Sequence, residues 1–453
     1  MQYTKALARF VAGTTYDELP RKVVIRAKEC LLDALGVMSA GASTLEGKRI
    51  MEFATNLGCR KESTVIGGKL TSSLNAAFAN GTLGEIVELN DGARIMAGHP
   101  SSVVTPATLA VGEKSGASGE DVITAIIVGY DVAIRIGAAM FPHHRIRGFI
   151  NTGTSGTFGA TAAAGKILGL DEKSMADAFG IAGFFAPASL YESFMGTTIK
   201  PAHGGQAAEV GVKSALLAEG GLGGAHTILE GPAGFIQATA AKFNLDNLTE
   251  KLGEEYKIMD VYFKPYACCR HTHGAVDAVL ELIAKYNVNP DDVESILVKT
   301  NSGAFRTVCR YAKELDPYTS FQFSLPYIVA ITLMDRKVGP SQFDEERIRN
   351  PKVYELMRKV KCNLDPELDR LYPKRRPTAV EIVTKSGETL NARTDFPKGT
   401  AENPMTTQQL RTKFKDLTSK VLGEEVEKVM NIVDKMENLG SINELMLLFR
   451  PIN

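Results

Sequence analysis

The sequence predicts a mostly helical protein with a smaller α+β domain. Three observations carry that reading. Between residues 71 and 240 the chain is rich in Ala, Gly and apolar residues at helical spacing, with no alternating strand pattern. After about 260 the texture changes to strand, helix and hairpin. Beyond 405 it returns to helix. At 453 residues the chain exceeds one ordinary domain. The division is an all-helical domain over 1–260 and 400–453 and an α+β domain over 261–399.

Residues 17–40 place Val24, Ala27, Leu31, Ala34, Leu35 and Met38 on one helix face, with Asp17 to Pro20 as start signal and Gly41 as stop. Residues 44–58 repeat the pattern more weakly, and 63–68 (STVIGG) is a short β-like or irregular insert. The Ala/Gly-rich stretches up to 240 read as helices in close mutual contact. Residues 272–287 form a helix, 293–300 (VESILVKT) alternates like a half-buried strand, and a helix starts near 324 with Pro326 in its first turn. Residues 378–394 alternate on both sides of Lys385-Ser386-Gly387-Glu388, a hairpin signal. Residues 395–405 are a Pro/Gly-rich linker.

Apolar content is 44%, charged content 23% and formal net charge zero. That balance favours neither nucleic acid nor a membrane surface as partner. Six scattered Cys and a polar start, QYTKALARF, predict free thiols and a cytoplasmic location. No uninterrupted apolar run reaches membrane-spanning length. The glycines of 153–159 and 159–167 do not have the spacing of a phosphate-binding loop, and close helix packing explains them better.

Three stretches concentrate the chemistry. In 263–274 (FKPYACCRHTHG), Lys264, Cys269, Arg270, His271 and His273 crowd together. A cleft receiving an anion explains cations and thiols so close together. Cys269 beside Arg270 suits a thiolate, whereas Cys268 reads as a small buried hydrophobe. The spacing is not that of a zinc site. In 90–102 (NDGARIMAGHPSS), Asp91 and His99 suit an acid–base pair, and Arg94 offers a planar fork to a carboxylate. The competing reading is an Asp helix cap with a His packed on Pro100. In 197–208, Lys200 and His203 precede a helix expected from about Gly205. A Lys crowded by cations would have a lowered pKa suited to proton transfer, against a plain surface Lys with a capping His. His143 and His144 read as loop.

The pieces ELNDGARIMAGHPSSVVTPA, GFINTGTSGTFGATAAAGKILGL, IKPAHGGQAAEVG, TILEGPAGF, FKPYACCRHTH, FSLPYIVA and DFPKGTAENPMT together resemble the MmgE/PrpD family. That family contains 2-methylcitrate dehydratases, cis-aconitate decarboxylase and iminodisuccinate epimerase. The resemblance implies a helical domain formed by both chain ends, an α+β lid, a cleft between them, a homodimer, and no metal or organic cofactor. Carried over by position, the catalytic acid and histidine of the first loop fall on Asp91 and His99, the cleft Lys on Lys200 with His203 beside it, and the lid's basic segment on Lys264 to His273. Together with the reading of the residues, this makes Asp91, His99, Lys200 and His271 the expected catalytic groups and Arg94, His203, Lys264, Cys269, Arg270 and His273 the expected substrate binders.

The expected activity is α-proton abstraction from a small di- or tricarboxylate, first of all dehydration of the 2-methylcitrate type. Epimerisation or decarboxylation of a related acid is the alternative, and a non-catalytic anion-binding homologue a third. His99 or Lys200 is the expected base, with Asp91 tuning the His, and His271 or His203 the expected acid. Two departures stand out. Members often carry an acidic pair where this chain has Asn90-Asp91. The decarboxylase type has His where this chain has Ile150 and Cys269, which argues against decarboxylation.

Overall fold

The computed structural model describes residues 2–58, 60–194 and 196–451. The N-terminal half is built of helices: α1 (Tyr3–Gly13), α2 (Arg21–Ala42), α3 (Leu45–Asn56), α4 (Ser73–Ile86), α5 (Ser101–Ser115), α6 (Gly119–Met140), α7 (His143–Ile146), α8 (Ser155–Ile167), α9 (Glu172–Phe185) and α10 (Ala202–Glu219). The strand-like insert is a small hairpin, β1 (Ser63–Thr64) against β2 (Leu70–Thr71). α10 starts at Ala202, about three residues earlier than expected, so His203 lies inside its first turn.

α6 shows how the sequence makes these helices. Ser118 and Asp121 form a capping box at its start, each satisfying a backbone N–H of the other's turn. Its residues are apolar nearly all round. By length and composition it passes for a membrane span, but 94% of that window is buried inside the protein, so it is a core helix. It meets α8 through small residues: a Cβ on Gly159 would come within 2.6 Å of the Gly129 carbonyl oxygen. Any side chain there would force the two helices apart.

The second half opens with α11 (Phe235–Thr239), and then the chain enters the mixed region. β3 (Gly92–Ala93) lies far back in the sequence and pairs with β4 (Val261–Tyr262). This ties the 91–99 loop to the start of the α+β part. α12 (His273–Tyr286), β5 (Val293–Thr300), α13 (Ser302–Val308), α14 (Tyr318–Gln322) and α15 (Leu325–Asp335) follow. Next come α16 (Glu345–Ile348), α17 (Pro351–Arg358), β6 (Val360–Leu364), α18 (Pro366–Asp369), β7 (Thr378–Thr384) and β8 (Thr389–Thr394).

The sheet runs β6-β5-β7-β8. β6 is parallel to β5, and the other neighbours are antiparallel. β7 buries Thr378, Val380 and Ile382, and β8 buries Leu390 and Ala392. That is the period-2 alternation of a sheet with one covered face, and α12 packs on it. Gly387 takes φ +87° in the hairpin turn. β6 carries no alternation visible in the sequence, because it is an edge strand with one buried residue, Val360.

After the linker, α19 (Thr407–Leu422), α20 (Val426–Asp434) and α21 (Asn443–Leu447) return to the first half. α19 and α20 pack on α2. Lys413 pairs with buried Asp33 of α2 at 2.6 Å and donates to the Leu89 carbonyl. The C-terminal segment thereby braces the chain just ahead of Asp91.

Candidate active site

A cavity of about 90 Å³ opens where the 93–99 loop meets the 262–271 segment. Residues 149–152, Tyr191, Phe194, Thr307, Phe323 and Arg376 close it. It is below the size of pockets that take drug-sized ligands, so it suits a compact molecule. The β3–β4 pairing fixes its floor. Gly92 is required there: a Cβ would stand 2.4 Å from the Tyr262 Oη, so only Gly lets that ring lie over the loop.

His99 faces this cavity. Its Nδ1 lies 2.5 Å from the Asp91 carbonyl oxygen. A carbonyl only accepts, so Nδ1 carries the proton and Nε2 keeps its lone pair. Burial, then the charge of Lys264, pushes the His99 pKa down to about 4 against the pull of Glu85 and Glu88. The imidazole is therefore neutral near pH 7. Asp91 acts on it through its backbone. The Asp91 carboxylate instead accepts from the Ser101 N–H at 3.1 Å and the Tyr130 hydroxyl at 2.9 Å. It caps the N-terminus of α5, the plainer of the two sequence readings.

Lys200 departs from expectation. It was expected among cations with a lowered pKa. It stands instead between two carboxylates, Glu85 at 2.9 Å and Glu88 closer still. Burial alone would lower its pKa, but the two glutamates override this and raise it. Lys200 is thus held as an ammonium by its two glutamates, and it does not line the cavity.

Lys264 joins the same block, donating to Glu88 Oε1 at 2.8 Å and to the Glu88 carbonyl. Glu85 also accepts from Ser102 at 2.7 Å. Burial pushes its pKa up, but Lys200, His203 and His99 together hold it down at about 2. His203 donates from Nδ1 to the Lys200 carbonyl, and its Nε2 faces Glu85 at 3.8 Å. It belongs to this block and not to the cavity wall. Glu85 and Glu88 were missed because GEIVEL read as the end of an ordinary helix.

The 263–274 stretch divides. Cys269, Arg270 and His271 line the cavity. Arg270 donates to His273 Nδ1 at 2.7 Å and to the Lys398 and Pro397 carbonyls, and stacks on Tyr262. Burial lowers its pKa to about 10. His271 is held well below its usual range by burial, then by Arg376, Arg145 and Arg270; its Nδ1 has no partner among the described residues. His273 is fully buried, with its ring between Arg270 and the Cys268 carbonyl. Burial raises the Cys269 thiol, contrary to the thiolate reading.

Arg94 lies outside the cavity, donating to the Lys374 carbonyl and facing Glu402 at 3.6 Å. Two guanidiniums that the sequence reading passed over do line the cavity: Arg145, on the short helix read as loop, and Arg376. Among the described residues neither Arg145, Arg270 nor Arg376 has a carboxylate partner in an ion pair.

The MmgE/PrpD N-terminal domain matches residues 5–247, and the MmgE/PrpD C-terminal domain matches residues 266–438. The chain belongs to the MmgE/PrpD family. It is 28% identical to a cis-aconitate decarboxylase of Aspergillus terreus, over 98% of this chain and 95% of that one. It is also 28% identical to the Mus musculus cis-aconitate decarboxylase, over 99% and 93%. A mitochondrial 2-methylcitrate dehydratase of Yarrowia lipolytica is 25% identical over 81% of this chain and 74% of its own.

The two departures from the MmgE/PrpD pattern acquire physical meaning in this geometry. The Asn90 amide donates to Glu85 Oε1 at 2.7 Å. An acid there would set a third carboxylate against Glu85 and Glu88, so Asn keeps that block balanced. Ile150 lines the cavity and offers no proton. Cys268 accepts from the Thr272 hydroxyl at 3.0 Å. Among the described residues no three His, Cys, Asp or Glu side chains converge as a cation cage.

Proposed function

We propose that this chain is a lyase that moves a proton α to a carboxylate on a small di- or tricarboxylate, using its own side chains. One observation carries the reading: three guanidiniums without carboxylate partners share a small cavity with a neutral imidazole whose lone pair is free. A polycarboxylate supplies the missing negative charge through charge-assisted hydrogen bonds. Its developing aci-carboxylate is held by cations already in place. The family and the printed activities of its relatives support the same class.

The proposed reaction is dehydration. His99 Nε2 takes the α-proton. Burial, then the charges of Arg376, Arg145 and Arg270, keeps His271 neutral; the carboxylates of the bound acid offset those charges and pair with the imidazolium, so His271 gains a proton as substrate binds. It then delivers that proton to the leaving hydroxide, which departs as water.

Decarboxylation is the second reading, supported by the printed names of two full-length relatives. It requires a proton to be given to carbon. His99 is unprotonated near pH 7 and Ile150 carries no proton, so neither position holds a proton to give to carbon.

Proton NMR in D₂O with 2-methylcitrate, citrate and cis-aconitate tests this. Citrate should gain a vinyl proton, and 2-methylcitrate should lose its α-proton and turn its methyl doublet into the singlet of a methyl on a double bond. Loss of a carboxyl from cis-aconitate would transfer the assignment to decarboxylation, and a silent panel would overturn the lyase reading.

The proposal includes a second copy of the chain. Ile146, Phe184, Leu190 and Ile199 are exposed at 73, 82, 52 and 61%. Phe149 bridges to Leu190, bringing two of these segments together beside the cavity. Such apolar exposure is what a partner surface covers, and light scattering of the purified protein should give twice the chain mass.

A further inference from the structure

Two thiols remain outside the chemistry described so far. Cys309 follows the last residue of α13, and Cys362 lies in the middle of edge strand β6. Among the described cysteines they alone are partly exposed, while Cys30, Cys268 and Cys269 are buried. α13 packs on β6. Three features bring the sulfurs together. The Cys362 thiol is in side-chain contact with Cys309. The Tyr311 hydroxyl donates to the Val360 carbonyl, clamping the segment after Cys309 onto the strand. Both thiols pack against the same apolar core.

We propose that Cys309 and Cys362 are an oxidation site that closes to an intramolecular disulfide under a peroxide and reopens with a dithiol. In the first step the Cys309 sulfur attacks one peroxide oxygen. The O–O bond breaks, water leaves, and Cys309 becomes a sulfenic acid. In the second step the Cys362 sulfur attacks the Cys309 sulfur. The S–O bond breaks, a second water leaves, and the S–S bond forms. Two thiols have then lost two electrons and two hydrogens to one peroxide.

The order follows from the setting of Cys362. The Cys309 contact, then burial, keeps the Cys362 proton in place, so Cys362 is the resolving thiol and Cys309 the attacking one. The bond has a route to the cavity. α13 carries Thr307, which lines the cavity two residues before Cys309, and it packs on the Arg270–Thr272 turn. A covalent tie at its C-terminus fixes α13 to the sheet edge. The inference is independent of the lyase reading, because its test is covalent chemistry.

The test treats the full-length protein with hydrogen peroxide, alkylates free thiols, and maps peptides by mass spectrometry without reduction. A 309–362 cross-linked peptide, two hydrogens lighter and split by dithiothreitol, is expected. In Cys362→Ser, Cys309 should appear as a sulfenic acid trapped by a cyclic 1,3-dione. In Cys309→Ser, position 362 should remain alkylatable. Wild-type protein in which 309 and 362 stay on separate peptides, alkylated or over-oxidised, would overturn the proposal. So would trapping at Cys362 in the Cys309→Ser protein, which would reverse the assigned roles.

Discussion

Lys264 and Arg270 stand six residues apart and both are buried, yet they face opposite kinds of surroundings. Lys264 meets the Glu88 carboxylate at 2.8 Å, inside a block in which Lys200 meets Glu85 and Glu88. Arg270 meets carbonyl oxygens and a neutral imidazole. The first block is two cations against two anions and is complete without a ligand. The second, with Arg145 and Arg376, holds three guanidiniums with no carboxylate in ion-pair contact among the described residues; Glu88 lines the same cavity but is engaged by Lys200 and Lys264. Arg270 is buried and Arg145 and Arg376 are half-buried, and charge taken from water is unfavourable unless something pairs with it. The difference separates charges that hold the fold from charges that await an anion.

The largest effect should come from breaking the complete block. Lys200→Gln leaves Glu85 and Glu88 buried with one ammonium between them. Breaking a buried pair from one side typically costs about 3–5 kcal/mol, and urea unfolding at pH 7 should show a loss of that order. The loss should shrink as pH falls, because the stranded carboxylates can then protonate. An unchanged urea midpoint would mean that Lys200 is not structural and would reopen its reading as a base.

His99→Gln should do the opposite. Turnover of the acid identified by NMR should fall about 10²–10⁴-fold with the urea midpoint retained. In the wild-type protein kcat/KM should rise with pH through about 4, where the free imidazole loses its proton, and level off above. An acid limb near 6.5 would mean that burial does not depress His99.

Arg376→Gln tests the unpaired wall. It removes a charged hydrogen-bond donor to substrate, worth about 1.5–3 kcal/mol or roughly 10–100-fold in kcat/KM. Stability should hold or rise, since Arg376 pushes on His271 and Arg270 without a carboxylate in return. A protein destabilised as much as Lys200→Gln would erase the distinction between the two regions.

The same distinction explains what the sequence disclosed. Local patterns were legible wherever one element decides them. The helices around Ala/Gly stretches, the 378–394 hairpin and the change of texture after 260 all follow from spacing along the chain. The three site stretches were visible because His, Cys, Lys, Gly and Pro rarely cluster without a reason. Whether a given cation is paired was not legible, since pairing is set across about 110 to 180 residues of sequence. Lys200 read as crowded by cations because Glu85, in the last turn of α4, and Glu88, just past its end, lie far back in the sequence. Arg145 and Arg376 carried no local signal: one lies in a run set aside as loop, the other in a stretch, KRRP, that reads as surface. Arg94 was chosen for sitting between Asp91 and His99, but the loop turns its side chain away from the cavity toward Glu402.

Asp91 is a third case, an anion with no cation in ion-pair contact among the described residues, and it gives the finest test. Its carboxyl is fully buried, and burial, with Asp33 nearby, raises its pKa from 3.8 to about 6. Between those values the folded protein holds a proton that the unfolded chain has lost, so this group's contribution to stability falls as pH rises through that window. His99 runs the other way. Its pKa drops from 6.5 to about 4, so between those values the unfolded chain holds the extra proton and stability rises with pH. From about pH 4 to 6 the two slopes oppose each other. Asp91→Asn keeps the acceptor for the Ser101 N–H and removes the falling slope. Unfolding in urea at pH 4, 5 and 6 should then show stability rising with pH more steeply in the variant than in the wild type, by up to about 1.4 kcal/mol per pH unit. Parallel slopes would mean that Asp91 ionises in its ordinary range, and that an anion can sit beside the Tyr130 hydroxyl without the cation that Glu85 and Glu88 require.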